Sequence, residues 1–256
     1  MRIRATVAAA SGALVLSALA VPAAHAATAD PVISKVTING GKDIVLGTTA
    51  PKTVTVSVTA SHASGIADGW LVLWHGTDLD EGMDGALLPT DVATCKDSSA
   101  TTATCSLTVK VDPRVDLTKN ALAGTWHILA GVEAEDGSST SYDSFATTHV
   151  QRLSQLTVNA SPEPVKKGAT ITATGKLSRA NWEDHGYHGY ATQSVKLQFR
   201  KKSSSTYTTV KTIKTSTTGT LKTTVKAVED GYWRYSFAGT STTPTVTTAG
   251  DFVDVK

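Results

Sequence analysis

Apolar and polar residues alternate with a period of two along most of the chain, in short runs separated by Gly, Asp, Asn and Ser clusters, and no stretch beyond the first two dozen residues sustains a helical period. Val54, Val56 and Val58 alternate with Thr53, Thr55, Ser57 and Thr59, the pattern of a strand with one buried and one wet face. Residues 32–38, 70–74, 107–111, 126–132 and 145–150 read as further strands of a first unit. A second unit opens at Leu156-Thr157-Val158 and continues through residues 169–177, 195–200, 207–213, 220–228, 232–238 and 252–255. In its aromatic strand Trp233, Tyr235 and Phe237 form the natural core face, with Tyr232, Arg234 and Ser236 on the other. About seven strands per unit imply sandwiches, because an open sheet would leave an apolar face in water. The expected fold is all-β, two tandem β-sandwich domains over residues 27–152 and 153–256.

The start of the chain is of another kind. Arg2 and Arg4 precede an Ala/Leu/Val-rich run over residues 7–21, and Ala24-His25-Ala26 is a small-x-small cleavage site. Residues 1–26 therefore read as a signal peptide cleaved after Ala26, and the mature protein as secreted and extracellular, with no membrane span. The near-neutral whole chain hides a charge split. Residues 27–152 carry 8 Lys and Arg against 15 Asp and Glu, a net of −7, whereas residues 153–256 carry 14 against 7, a net of +7. That split suits mutual docking of the halves, different partners for each, or two unrelated domains with solvated faces. The basic residues are spread along Thr/Ser-rich strands without a nucleic-acid motif, so no nucleic-acid partner is expected. Cys95 and Cys105 are the only cysteines, and export makes a local disulfide between them the simplest reading.

The run Val195-Lys196-Leu197-Gln198-Phe199-Arg200, followed by Tyr207-Thr208-Thr209-Val210, Thr217-Thr218-Gly219-Thr220-Leu221 and Asp230-Gly231-Tyr232-Trp233-Arg234, resembles the bacterial Ig-like modules of secreted actinobacterial proteins, across residues 153–256. The first half, with its strands around Trp70, Trp74 and Trp126-His127, resembles the domain of unknown function that precedes such modules. The resemblance implies Greek-key sandwiches without a catalytic site, used in surface or matrix proteins, and says almost nothing of the ligand. One departure is that antibody-type domains bridge their sheets with a long-spaced cysteine pair, which this chain lacks, so its cores rely on Trp and aliphatic packing.

Two stretches carry candidate chemistry. Asp78, Asp80, Glu81 and Asp84 crowd a Gly-bearing segment after the Trp70 strand, and hard Ca²⁺ takes several oxygens on flexible backbone. The spacing departs from an EF-hand, and a solvated acidic loop is the alternative; Ca²⁺ is the one cofactor considered. Residues 182–190 crowd Trp182, Tyr187 and Tyr190 with His185 and His188 into one inter-strand segment. Aromatics flanked by polar groups suit sugar rings, and the two His could join a third ligand around a transition metal. Alternatively Trp182 and Tyr190 fold back on the sandwich edge while the His residues face water. No nucleophile elbow, HExxH, P-loop or dinucleotide turn is present, and no enzyme is expected. The reading is a secreted, non-catalytic binding or structural protein whose partner is an extracellular protein or a cell-wall glycan. Its alternatives are a carbohydrate-binding accessory module and a secreted enzyme inhibitor presenting the disulfide loop.

Overall fold

The computed structural model describes residues 29–256; the expected signal peptide lies outside the described residues. Nine strands come first: β1 (Val32–Ile38), β2 (Ile44–Leu46), β3 (Lys52–Ser61), β4 (Ile66–Gly76), β5 (Met83–Leu87), β6 (Thr94–Ser99), β7 (Thr102–Val111), β8 (Gly124–Ala134) and β9 (Ser139–Arg152). They form two sheets, of order β1-β3-β7-β6 and β2-β9-β8-β4-β5. With β2 as A′ and β5 as C′, the nine strands follow the A-B-E-D and A′-G-F-C-C′ order of an immunoglobulin sandwich. The alternation in β3 buries Val54, Val56 and Val58 against Leu71 and Leu73 of β4 and Trp126 and Ile128 of β8. The Trp126 indole N–H donates to Leu122 O (2.8 Å), so this aromatic anchor leaves no polar atom unpaired in the core.

Two details follow from side-chain size. Cys95 and Cys105 face each other across β6 and β7 and are bonded (S–S 2.00 Å), so the bridge staples two strands of one sheet instead of joining two sheets. Opposite them lies Gly69, where a Cβ would stand 2.9 Å from the Cβ of Cys105; the sheets approach closely only because that atom is missing.

The other ten strands are β10 (Ser154–Leu156), β11 (Asn159–Ser161), β12 (Thr170–Ala180), β13 (Tyr187–Gly189), β14 (Ser194–Lys201), β15 (Thr208–Lys214), β16 (Thr220–Lys226), β17 (Gly231–Phe237), β18 (Val246–Thr247) and β19 (Asp251–Val253). One sheet is built around β12, which pairs with β10, β11, β13 and β16; the other has the order β15-β14-β17-β18, with β19 also on β17. Among the described residues no sheet mixes strands from before and after Leu153. As the alternation requires, Trp233, Tyr235 and Phe237 are buried with Ile171, Leu177, Val195 and Leu197. The Tyr235 hydroxyl donates to Ala173 O across the core (3.0 Å), and burial pushes its pKa up to about 12. The indole Nε1 of Trp233 is the one buried side-chain N or O without a hydrogen-bond partner among the described residues.

Both sandwiches contain a parallel pairing in an otherwise antiparallel fold. β2 runs parallel to β9, with Ile44 opposite Val150, and Val165 bridges in parallel to Val255. The second contact is held by Val165 N–H to Asp254 O and Lys256 N–H to Val165 O, both 2.9 Å.

Candidate functional site

The chain passes from one sandwich to the other through a single residue, Leu153, between β9 and β10. Its N–H donates to Leu46 O of the first sandwich (2.8 Å) and its carbonyl accepts from Ala180 N–H of the second (2.8 Å). A connector bonded in both directions has no slack. On either side of it, Arg152 N–H donates to Thr242 O (3.0 Å), the Gln151 amide donates to Thr240 O (3.0 Å), and the Ser154 hydroxyl donates to Pro244 O (3.0 Å). The turn that carries residues 240–244 thereby wraps the crossing point.

Arg152 is buried, and its Nε donates to Ala180 O (2.6 Å). Desolvation, and then the neighbouring Arg179 cation, pull its pKa down to about 10, so the guanidinium keeps its charge at neutral pH. Arg179 lies over the Tyr190 ring, 3.8 Å from its centroid, and its Nη1 donates to the hydroxyls of Thr242 (3.3 Å) and Thr243 (3.1 Å). Burial opposes ionisation of Tyr190, yet hydrogen bonds with the hydroxyls of Thr240, Thr243 and Thr242, together with Arg179, hold its phenol below the usual range.

The segment expected to meet a ligand forms the other half of this junction. Trp182 is fully buried, clusters with the core of the first sandwich, and donates its indole N–H to Gly47 O (3.0 Å). Asn120 clamps the same loop: its side-chain oxygen accepts the Trp182 backbone N–H (3.0 Å), its amide donates to Asn181 Oδ1 (2.6 Å), and its own backbone N–H donates to Glu183 Oε1 (3.0 Å). Tyr187 packs on the first core, and burial raises its phenol despite a hydrogen bond with Gln155. A ligand-stacking role for Trp182 is thus corrected, because a side chain without exposed surface presents no face to a sugar. Tyr190 is covered by Arg179 on one side and meets Phe237 edge-on. The fold-back alternative describes the arrangement better, except that Trp182 reaches the neighbouring sandwich. His185 and His188 do remain exposed; His188 Nε2 pairs with Asp184 Oδ2 (2.7 Å), and His185 sits at φ 59° in the turn.

The acidic segment is not a cage either. It is a tight turn into β5, closed by Thr77 N–H to Gly82 O and Gly82 N–H to Asp78 O, both 3.2 Å. Asp78 Oδ1 accepts the backbone N–H of Asp80 (2.9 Å) and Glu81 (3.2 Å), the ordinary work of a turn aspartate. Asp84 pairs with His75 Nδ1 (2.5 Å). Asp80 and Glu81 point to solvent, and among the described residues no three His, Cys, Asp or Glu gather as metal ligands. Among the described residues neither Asp78, Asp80, Glu81 and Asp84 nor His185 and His188 are gathered into a set of three or more metal ligands. In the disulfide segment Lys96 and Asp97 pair with Thr104 and Ala103 inside a hairpin.

The arrangement nearest to a catalytic constellation is His62, whose Nδ1 lies 2.7 Å from the Ser64 hydroxyl, with Asp136 4.0 Å from Nε2. Ser64 N–H also donates to Nδ1 (3.2 Å), which fixes the proton on Nε2, and that proton goes to Ala29 O (2.6 Å). Both nitrogens thus hold a turn to the start of the first sandwich. His127, on the outer face of β8, stacks on Trp74 (4.4 Å, 20°) and meets the Ser144 hydroxyl at 2.8 Å, again as packing.

Residues 47–132 match DUF5707, a family of unknown function, so a DUF5707 domain is present over about a third of the chain. The match begins at Gly47, the residue that receives the Trp182 indole, and ends within β8. No curated protein matches the chain. Among solved structures it is similar to dimeric latent PorU from Porphyromonas gingivalis, at 12% identity over 92% of this chain and 21% of that one, with a TM-score of 0.32. It is also similar to the adhesin InvE of Yersinia pseudotuberculosis (15% identity, 86% and 60% covered, TM-score 0.28) and to the D00-D0 domain of Intimin (15%, 86% and 99%, TM-score 0.27). The chain therefore spans about a fifth of the PorU chain and three fifths of the InvE chain.

Proposed function

We propose that this protein is a non-catalytic binding or structural module of the extracellular space, in which two Ig-like sandwiches, residues 27–152 and 153–256, act as one rigid body. The observation that carries the reading is Trp182, a side chain of the second sandwich buried in the core of the first and bonded to Gly47. Tandem domains move independently by default unless their interface is large and apolar. Here a shared core residue, the Asn120 clamp and a one-residue connector remove that freedom. A fixed relative pose is of use to a protein that holds surfaces at a set distance or transmits load. The disulfide supports an oxidising compartment, and the local engagement of His62, His75 and His127 supports a non-catalytic role.

Calorimetry and small-angle scattering on the chain from Ala27 onward test this. The expected result is one cooperative unfolding transition and a scattering profile fitted by a single pose. Two separate transitions, or a profile that needs an ensemble of poses, would sink the rigid-body reading.

A further inference from the structure

The outer face of the β14, β15, β17 and β19 sheet carries cations and aromatic rings in alternation. Gln198 and Arg200 on β14 stand beside Arg234 and Tyr232 on β17, with Tyr207 just before β15 and Phe252 on β19. The Arg234 guanidinium lies 3.7 Å from the centroid of Tyr207, and that of Arg200 lies 3.8 Å from Tyr232 and 5.4 Å from Tyr207. Gln198 Oε1 accepts from Arg234 Nε (2.8 Å), and Ser204 O accepts from Arg200 Nη1 (2.8 Å). Each guanidinium lies over a ring and keeps further N–H groups beyond the bonds named above. Lys196 and Lys214, both exposed, continue the same face, because Ser194 pairs with Lys214 and Lys196 follows Ser194 by two.

Among the described residues no carboxylate comes within ion-pair distance of Arg200, Arg234, Lys196 or Lys214. The nearby Glu229 and Asp230 pair with Lys201 (3.1 Å) and Lys202 (3.7 Å) at one end. Four uncompensated cations along a flat sheet, at steps of roughly 7 Å set by the strand repeat and the diagonal between neighbouring strands, fit a chain of anionic groups better than one compact anion. We propose that this face binds a linear acidic polysaccharide, with Arg200 and Arg234 as the paired forks that grip its carboxylate or sulfate groups. Nucleic acid is the other linear polyanion, but its bases stack on open aromatic faces, and here Tyr207 and Tyr232 are covered by the guanidinium groups. The choice of a glycan rests on the extracellular reading above; the existence of the face does not.

The test is binding of the chain from Ala27 onward to polygalacturonate, dextran sulfate, uncharged dextran and a single-stranded oligonucleotide, each over a salt series. The expected result is binding to the two acidic polysaccharides, none to dextran, and weaker binding to the oligonucleotide. Arg200→Gln with Arg234→Gln should weaken polysaccharide binding at least tenfold and flatten its salt dependence, because two anion contacts are lost. Arg200→Lys with Arg234→Lys, which keeps charge but loses the planar fork, should recover only part of it. Lys196→Glu with Lys214→Glu alters solvent-facing positions only and should abolish binding, whereas the same reversal on the opposite sheet, Lys222→Glu with Lys226→Glu, should change it less than twofold. Equal losses from the two reversals would reduce the face to diffuse basicity and overturn the proposal. Absence of polysaccharide binding overturns it while leaving the rigid-body reading intact, and tighter binding to the oligonucleotide overturns the choice of glycan.

Discussion

The loop of residues 182–190 and the open face of β14 and β17 are two aromatic clusters of the second sandwich outside its own core, and they do opposite things. In the loop the aromatic groups are packed away, Trp182 into the neighbouring core and Tyr190 beneath Arg179. On the face, Tyr207 and Tyr232 also lie beneath arginines, yet the stacks stand at a solvent boundary and leave cationic edges outward. Composition does not separate the two cases. What separates them is whether a second layer of protein covers the cluster, and only the chain crossing at Leu153 brings such a layer to the loop.

Substitutions sharpen this contrast, and the largest effect belongs to the covered cluster. Trp182→Ala should cost about 3–5 kcal/mol, read as a lower denaturant midpoint, and should split the single transition into two. A loss below about 1 kcal/mol would mean that the junction is no more cohesive than an ordinary surface contact. Next comes alkaline pH. Tyr235 has its pKa raised on folding, so its contribution is whole below the unfolded value near 10 and declines as pH rises toward 12. A two-unit shift corresponds to about 2–3 kcal/mol. Unfolding free energies between pH 9 and 12 should show this fall, and Tyr235→Phe should abolish it. Spectrophotometric titration should find Tyr190 ionising well before Tyr235. Asn120→Ala leaves the Trp182 backbone N–H and Asn181 without their partners, at a cost of about 1–3 kcal/mol, measured by urea denaturation. The smallest effect belongs to the open face, where Tyr207→Ala should cost only about 1 kcal/mol in the same assay, since the ring supports arginines already in contact with water.

Period-two alternation was enough to locate β3, β14 and β17 and to choose the core face of Trp233, Tyr235 and Phe237, because burial on one side of a strand writes itself into every second residue. The strands it did not reveal, among them β2, β13 and β18, are two or three residues long and too short to express a period. β5 buries only Leu87 at its end and β6 is almost wholly exposed, so neither shows an alternating buried face. The disulfide was legible because the chain has two cysteines and each therefore has one simple partner. The junction was not, since Gly47 and Trp182 lie 135 residues apart and Asn120 and Asn181 lie 61 apart. No local rule links such positions. The one available signal was the abrupt change of charge at Arg152, which marks where the halves meet without saying how tightly.

The parallel pairings of β2 with β9 and of Val165 with Val255 bear on tension. When a chain is pulled along its length, antiparallel neighbours joined by a turn peel apart one hydrogen bond at a time, whereas parallel neighbours near the entry and exit of a unit slide past each other and share the load among several bonds at once. In each sandwich such a pair holds the last residues, Val150–Arg152 against β2 and Val255 against Val165, whereas the entry strands β1 and β10 pair antiparallel, with β3 and β12. The exit of each sandwich is thereby held by bonds to a parallel neighbour as well as by its antiparallel ladder.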